Sequence, residues 1–344
     1  MPHNGDAVII GGGIAGLATA AGLSRAGWSV SVLERAETPP EGGTALGMWP
    51  EAMAALDSLG IGDPVRDLAV ECRGALILRA DGTEIASVGQ RRSAHLISRA
   101  QLLSVLRSAV EPGIVRWGVR LDPSDDLPAA DLVVGADGIN SAVRARFWPE
   151  AGVRPLRTVA YRGVVTGRVD TVTETWGPGA LFGITPAGRD LTNWFACMRV
   201  SADDLDGADD SAHLLRRRFG SWHPAVRRIV ESVIPEEIDR RTLHDVHVGG
   251  PYVRGSVALV GDAAHAMAPN LGRGACESLI DAVVLARAVT DADTVDGGLR
   301  AYDRIRRRRT RRVVAAARML NRVATAERGR RLRDGLAGML STDS

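Results

Sequence analysis

The apolar positions at the start of the chain follow first a strand pattern and then a helix pattern. A short apolar run, AVII, occupies residues 7–10, and alternating apolar positions return at Val30 and Val32. Between them, apolar residues recur at helical spacing at Ile14, Leu17, Ala18 and Ala21. The pattern predicts strand, glycine turn, helix and strand, which is the opening unit of a doubly wound α/β sheet.

Further along, the same periodicities predict helices and buried parallel strands. Pro50 and Gly60 bracket a short helix, and Ser98 is well placed as the N-cap of a helix over 98–110. The apolar runs at 132–134 and 257–260 suit buried strands of a parallel sheet. A helix is predicted from Gly274 to about Val289, and a long arginine-rich helix over 301–333.

Residues 156–200 differ in character, because Val, Thr, Trp, Phe and Tyr dominate and turn residues recur. This pattern predicts antiparallel hairpins. We therefore expect a Rossmann-like α/β domain with an inserted, mostly antiparallel β-sheet. The expected parts are an α/β domain at 1–155 and 244–300, a sheet domain at 156–243 and a C-terminal helical segment at 301–344. The stretches 201–210 and 291–298 are expected to be flexible connectors.

Composition narrows the function classes. The net charge is +2, which does not suit a nucleic-acid-binding protein, and all 43 basic residues are arginines, so a catalytic lysine is excluded. Three scattered cysteines predict neither disulfides nor a metal site, and no apolar run is long enough to span a membrane. We expect a cytoplasmic protein, monomeric or homodimeric, whose partner is a small molecule.

The glycine turn predicts a dinucleotide site. Gly11, Gly13 and Gly16 form G-x-G-x-x-G between strand and helix, and Glu34 ends the next strand. Gly13 lets a pyrophosphate approach the backbone, the helix N-terminus attracts the anion, and Glu34 suits the ribose hydroxyls of an adenosine. A glycine turn without ligand is the less favoured alternative, and the motif by itself does not separate FAD from NAD.

Two distant motifs decide the cofactor. GADGINSAVR begins at Gly135, and GDAAH begins at Gly261, followed by Pro269 and by Gly-Arg-Gly at 272–274. With these motifs, YRGVV at 161–165 and GMWPEAMAALDSLGIGD, the chain resembles the single-component (group A) FAD-dependent aromatic hydroxylases. The stretch from Gly261 to Ala282 is most similar to the branch containing salicylate and urate hydroxylases and carotenoid epoxidases.

The resemblance implies a glutathione-reductase-type FAD domain at 1–155 and 244–300 and a substrate-binding sheet domain at 156–243. It also implies non-covalent FAD, NADH or NADPH as co-substrate, O2 as a partner, and oxygen transfer through a flavin C4a-hydroperoxide to a small aromatic or unsaturated substrate. It implies that Asp262 holds the ribityl–pyrophosphate region, that Arg99 reaches the FAD and that Asp137 links cofactor binding to the nicotinamide reaction. A helix cap or Asx turn is the alternative for either aspartate. The expected FAD-binding residues are Gly11, Gly13, Ala15, Gly16, Glu34, Arg35, Arg99, Asp137, Asp262, Pro269, Gly272, Gly274 and Ala275.

Few other side chains are assigned a catalytic, metal-binding or substrate-binding role. No catalytic side chain is assigned, because the flavin carries the chemistry, and no metal is expected. His265 is expected to pack structurally, and the arginines at 304–312 to form a solvated helix face. The candidate substrate contacts are Tyr161, Trp176, Phe182, Arg189, Trp194 and Arg273; alternation along the strands implies that about half of the aromatic ones point away from the flavin.

Two alternatives to a monooxygenase remain open from the sequence. One is an FAD-dependent reductase or dehydrogenase on the same scaffold, and the other an FAD-binding protein without turnover. The segment between Arg120 and Asp131 is shorter than is usual in the family, and Arg273 stands where glutamine is common.

Overall fold

The computed structural model describes residues 5–40, 44–188, 190–200, 210–327 and 334–335. Their strands are β1 (Asp6–Ile10), β2 (Ser29–Leu33), β3 (Ala45–Met48), β4 (Val70–Arg79), β5 (Glu84–Ser98), β6 (Val115–Arg116), β7 (Leu132–Gly135), β8 (Gly152–Thr166), β9 (Val172–Gly177), β10 (Ala180–Pro186), β11 (Leu191–Arg199), β12 (Asp239–His247), β13 (Val253–Arg254) and β14 (Val257–Leu259). Their α-helices are α1 (Ile14–Arg25), α2 (Pro50–Ser58), α3 (Gly62–Leu68), α4 (Arg99–Ser108), α5 (Ala142–Phe147), α6 (Ser211–Phe219), α7 (Pro224–Ser232), α8 (Asp262–His265), α9 (Gly274–Asp291) and α10 (Val295–Ala324).

The first sheet is the predicted parallel one. Its order is β13-β14-β7-β1-β2-β6, and only β13 runs antiparallel to its neighbour. The apolar runs of β1, β7 and β14 lie in the middle and are buried, as a parallel sheet covered by helices requires. Helices α1 and α9 pack so closely that a Cβ on Gly22 would lie 3.0 Å from the Cβ of Ala286.

The second sheet has eight strands in the order β12-β8-β11-β10-β9-β4-β5-β3. All its pairs are antiparallel except β4 with β9. The expected hairpins at 156–200 are present as β8 to β11. Strands β3, β4 and β5 were not predicted, and their contribution extends this sheet well outside residues 156–243.

Each face of the second sheet packs against different helices. One face forms an apolar core with α6 and α7. The other face packs, at one end, against Leu320, Val323 and Ala324 of α10. Because side chains alternate along a strand, this division decides which residues of β8 to β11 are available to a ligand.

The helix predictions are confirmed with some changes of boundary. Ser98 caps α4 in a capping box with Gln101. The predicted connector at 291–298 is wrong in its second half, because Thr294 accepts from the Gly297 N–H and α10 begins at Val295. The other predicted connector falls mostly on residues 201–209, outside the described residues. Among the described helices, none is both long and apolar enough to cross a membrane.

Candidate functional site

Four of the predicted cofactor residues follow strands of the first sheet at the same edge. Gly11 follows β1, Glu34 follows β2, Asp137 lies just beyond β7 and Asp262 just beyond β14. In the parallel register Ile10 is opposite both Leu33 and Gly135, and Leu259 is also opposite Gly135. The carboxyl ends of these strands therefore meet, which is where open α/β sheets bind ligands.

The glycine turn leaves room for an anion at the N-terminus of α1. A Cβ on Gly13 would meet no atom of the described residues within 4 Å, whereas a Cβ on Gly16 would lie 1.8 Å from the carbonyl oxygen of Gly11. Gly13 is the N-cap of α1, and among the described residues no side chain caps that helix end. Its backbone N–H groups are therefore free to bind a pyrophosphate, with Ala15 in the same first turn.

Two carboxylates of this edge are held by backbone N–H groups. Glu34 accepts from Gly12 at 2.5 Å and from Ala36 at 2.9 Å. Asp137 Oδ2 accepts from Ala142 at 2.7 Å and from Val143 at 3.2 Å, which is the helix-capping role considered for it. Its Oδ1 is buried and has no hydrogen-bond partner among the described residues, so one oxygen remains for a ligand.

Asp262 is exposed at the start of α8. The preceding Gly261 has φ of 59°, and a Cβ there would lie 2.7 Å from Ala15 Cβ and 2.9 Å from Ser278 Oγ. Glycine is thus required both by the backbone conformation and by the close approach of α1 and α9. This packing places the start of α8, and with it Asp262, beside the first turn of α1.

The loop from Pro269 to Gly274 leads into α9. In the part of the chain that the structure describes, a Cβ on Gly274 would meet nothing within 4 Å, and no side chain caps this helix. Asn270 is partly buried, and neither of its amide atoms has a hydrogen-bond partner among the described residues. Exposed Pro269 and the left-handed Gly272, together with Ala275, complete a backbone surface that a planar ring can approach.

Behind this loop lies a buried network of charges. Asp281 accepts from the Gly261 N–H at 2.8 Å and from Arg306 Nε at 2.6 Å, and it contacts His265 Nε2 at 2.5 Å. Arg306 also binds Glu277 at 2.6 Å. Burial opposes ionisation of Asp281, but the attraction of His265 and Arg306 outweighs it and lowers the pKa of that carboxyl to about 2.

The remaining predicted cofactor residues lie on the surface. Arg99 is the first residue of α4 and is exposed, and its N–H donates to Thr44 O at 3.2 Å. Arg35 is exposed directly after Glu34. Neither guanidinium is committed to an ion pair among the described residues, so both are available to a phosphate or ribose.

Comparison with known proteins identifies the family. The family model described as "FAD binding domain" matches residues 4–120 and 221–317. An aurachin C monooxygenase/isomerase from Stigmatella aurantiaca is 33% identical over 98% of this chain and 94% of its own length. A 3-amino-4-hydroxybenzoate 2-monooxygenase from Streptomyces cremeus is 33% identical over 91% of this chain and 86% of its own.

The chain belongs to the FAD-dependent aromatic hydroxylases. The crystal structure of Klebsiella pneumoniae HpxO complexed with FAD and uric acid has the same fold, with a TM-score of 0.87, 24% identity, and coverage of 98% of this chain and 92% of that one. The open backbone at Gly13 and Gly274, the free α1 N-terminus and the unpartnered oxygen of Asp137 fit FAD. The monooxygenase predicted from the sequence is confirmed.

Three of the aromatic residues that were predicted to contact the substrate of this hydroxylase lie in the apolar core between the second sheet and helices α6 and α7. Tyr161, Phe182 and Trp194 are at most 3% exposed and belong to the cluster under α6 and α7. Phe182 stacks on Trp194 with ring centroids 5.8 Å apart and meets Phe219 edge-on at 5.2 Å. Strand alternation turns these three side chains away from the face that carries Asn193, so the structure contradicts them as substrate contacts.

The other three candidates have different positions. Trp176 lies on the opposite face, buried with Leu181 and Cys197. Arg189 lies outside the described residues. Arg273 was expected to hold a substrate anion, but its guanidinium binds Glu277 at 2.9 Å and Glu51 at 3.2 Å, so its charge is already neutralised.

A mainly apolar cleft of about 470 Å³ adjoins this ion pair. It lies between the start of α2, the loop before α9 and the middle of α10, and its lining includes Trp49, Leu271 and Val313. The cleft therefore opens beside the N-terminus of α9.

Sequence reasoning missed two features of the site. Arg306 belongs to the arginine cluster expected on a solvated helix face, yet it is 1% exposed and holds two buried carboxylates. Asn270 carried no recognisable signal beyond its place between Pro269 and Gly272.

Proposed function

We propose that this monooxygenase uses NADH or NADPH and O2 to hydroxylate a small aromatic or heteroaromatic compound that carries an acidic O–H or N–H group. The relatives support this substrate class, since one is named for 3-amino-4-hydroxybenzoate and one related crystal structure contains uric acid. Epoxidation of an unsaturated compound is the variant of the same reaction that this scaffold also allows.

The observation that carries the proposal is the free N-terminus of α9 next to the open backbone at Gly274. The helix dipole places partial positive charge at this point, and preorganised N–H groups stabilise negative charge that develops during a reaction. When bound, FAD would take two electrons from the nicotinamide and deliver them to O2, so that one oxygen atom enters the substrate and the other leaves as water.

The chain's own residues would bind and orient. The N–H groups of α1 would hold the pyrophosphate, with Arg99 bracing it, while Glu34 would accept from the ribose hydroxyls and Asp262 from the ribityl chain. The second sheet would cover the ring and exclude water, which strengthens the electrostatic effect of the α9 N-terminus.

The test is product analysis with labelled oxygen. Purified protein is given NADH or NADPH, ¹⁸O2 and, in turn, 3-amino-4-hydroxybenzoate, urate and aurachin C. We expect about one FAD per chain, released on denaturation, and one labelled atom in the product of at least one compound. A product that gains only hydrogen, formed equally well without oxygen, would instead indicate a reductase; FAD binding with no nicotinamide oxidation would indicate a protein without turnover.

A further inference from the structure

One row of side chains crosses the second sheet near its centre. Glu174 on β9 pairs with Ile77 on β4 and with Gly183 on β10, Gly183 pairs with Phe195 on β11, and Phe195 pairs with Arg162 on β8. Directly paired residues of neighbouring strands point to the same face. Phe195 lies over Gly183, since a Cβ there would meet its ring at 2.0 Å, so the middle of the row is an apolar floor.

The face that carries this row is the one turned towards the cofactor residues. Asn193 lies two residues before Phe195 on β11, on the same face, and its Oδ1 accepts from the Ala45 N–H of β3 at 3.1 Å. Strand β3 also contacts α9, because Cys276 Sγ donates to Gly47 O of β3 at 3.2 Å. Glu174 therefore lies on the same face as Asn193, which contacts β3, and β3 in turn contacts the first turn of α9.

Glu174 lies in an apolar setting with one polar contact. Its Oε1 accepts from Trp176 Nε1 at 2.5 Å, and it is partly buried. Burial raises the pKa of this carboxyl to about 7, although the indole N–H opposes the increase. Among the described residues no cation lies within ion-pairing distance of it.

The other ionisable groups on this face leave Glu174 uncompensated. Arg162, at the far end of the row, binds Asp239 of β12 at 3.1 Å. Arg79 of β4, beside Trp176, binds Asp334 at 2.9 Å. Burial, with the nearby charge of Glu174, raises the pKa of the Cys197 thiol to about 12, so this group stays neutral.

We propose that Glu174 is the catalytic base that accepts the proton of the substrate's ring O–H or N–H group. In this step the O–H or N–H bond breaks, a carboxyl O–H bond forms and the negative charge moves to the ring, with no change in electron count. The added electron density makes the ring a better acceptor of an oxygen atom. The proton returns to the product oxygen or to water after oxygen transfer. This inference rests on the proposed function.

A carboxyl with these properties suits the task, because a general base works best when its pKa lies near the working pH. An ordinary exposed glutamate would be too weak a base, and an ion-paired one would be weaker still. The indole N–H of Trp176 fixes one oxygen, which leaves the other for the substrate.

The test is the pH dependence of kcat for Glu174→Gln, in the holoenzyme, with the first of the three compounds that the wild-type protein oxygenates. Glutamine keeps the shape and can still accept from Trp176. For the wild type we expect kcat to fall as the pH drops through about 7. For the variant we expect kcat at pH 8 to fall by about 10² to 10⁴, the usual contribution of a general base. The acid limb should vanish, and activity should partly recover at high pH, where the substrate ionises by itself.

Glu84→Gln is the matched control, because Glu84 is exposed on β5 of the same sheet; it should keep the wild-type profile. FAD content should be unchanged in Glu174→Gln, which would show that the cofactor site is intact. An unaltered kcat and acid limb in that variant would overturn the inference while leaving the proposed function intact. If Glu174→Gln does not fold, the pH dependence of kcat is measured for Glu174→Asp. A shift of the acid limb along the pH axis in that variant supports the inference, and an acid limb at the wild-type pH overturns it. Failure of the wild type to incorporate label overturns the proposed function itself.

Discussion

His265 Nε2 lies 2.5 Å from Asp281 Oδ2, and both side chains are at most 1% exposed. The contact joins the short helix that begins at Asp262 to the helix that begins at Gly274. Since both helices start at predicted FAD contacts, this pair holds two parts of the cofactor site in fixed relation. His265 thus packs structurally, as the sequence indicated, although through a charge contact.

Replacement of His265 should affect stability most at low pH. Burial disfavours the imidazolium, but the attraction of Asp281 prevails and raises the pKa of His265. A raised pKa adds stability that is complete below the unfolded value of about 6.5 and disappears as the pH rises through the folded value. The free energy of unfolding in urea should therefore differ most between wild type and His265→Gln at pH 6, and less at pH 9.

The exposed His213 on α6 provides the control, and His213→Gln should show no such trend. Asp281 stays ionised throughout this pH range, so it does not contribute to the trend. A difference that grows with pH would contradict the assignment.

Arg306 should be far more sensitive than its neighbours in the arginine-rich helix. Its guanidinium holds Asp281 and Glu277, both buried, so Arg306→Met would leave two carboxylates with less compensation. Breaking a buried ion pair on one side costs about 3–5 kcal/mol. We expect a loss of that order in the free energy of unfolding.

Arg308→Met, two residues further along α10 at an exposed position, should change stability by about 0.5 kcal/mol at most. Equal losses in the two variants would show that the buried network does not stabilise the fold.

Arg306 also shows where prediction from the sequence stops. The first βαβ unit, the helices at Pro50 and Gly274 and the Ser98 cap were predictable, because their signals are local. The partners of Arg306 lie 25 and 29 residues away, on another helix, so its spacing alone resembled a solvated face.

The prediction of the second sheet was incomplete for the same reason. Strand β4 pairs in parallel with β9, which lies almost a hundred residues later in the chain, and no local sequence pattern predicts such a pairing. Alternation divided the aromatic residues of β8 to β11 into two faces, but it did not say which face α6 and α7 cover. Tyr161, Phe182 and Trp194 were therefore candidates until the packing was known.

Alanine at two glycines of the same turn should cause different defects. Gly16→Ala should lower Tm or prevent folding, because its Cβ would lie 1.8 Å from Gly11 O. Gly13→Ala should leave the Tm of the apoprotein unchanged or raise it slightly, because its Cβ would meet no atom of the described chain within 4 Å. That Cβ would occupy the space for the pyrophosphate, so FAD affinity should fall by about tenfold or more.

The two readouts are thermal unfolding of the apoprotein and FAD titration followed by flavin fluorescence. Normal FAD affinity in a folded Gly13→Ala variant would mean that the pyrophosphate does not lie against this turn.

The last prediction tests the contribution of Arg99 to FAD binding. Arg99 begins α4 directly after the Ser98 cap, and its guanidinium is exposed. A hydrogen bond to a charged group is worth about 1.5–3 kcal/mol, so Arg99→Ala should weaken FAD binding by about tenfold or more. The capping box at Ser98 and Gln101 does not involve the Arg99 side chain, so the helix should persist and Tm should not fall.

Arg107→Ala, two turns further along the same helix, should bind FAD as the wild type does. If Arg107→Ala weakens binding and Arg99→Ala does not, the cofactor contacts the other end of α4. That result would move the adenine side of FAD away from the edge defined by Gly11 and Glu34.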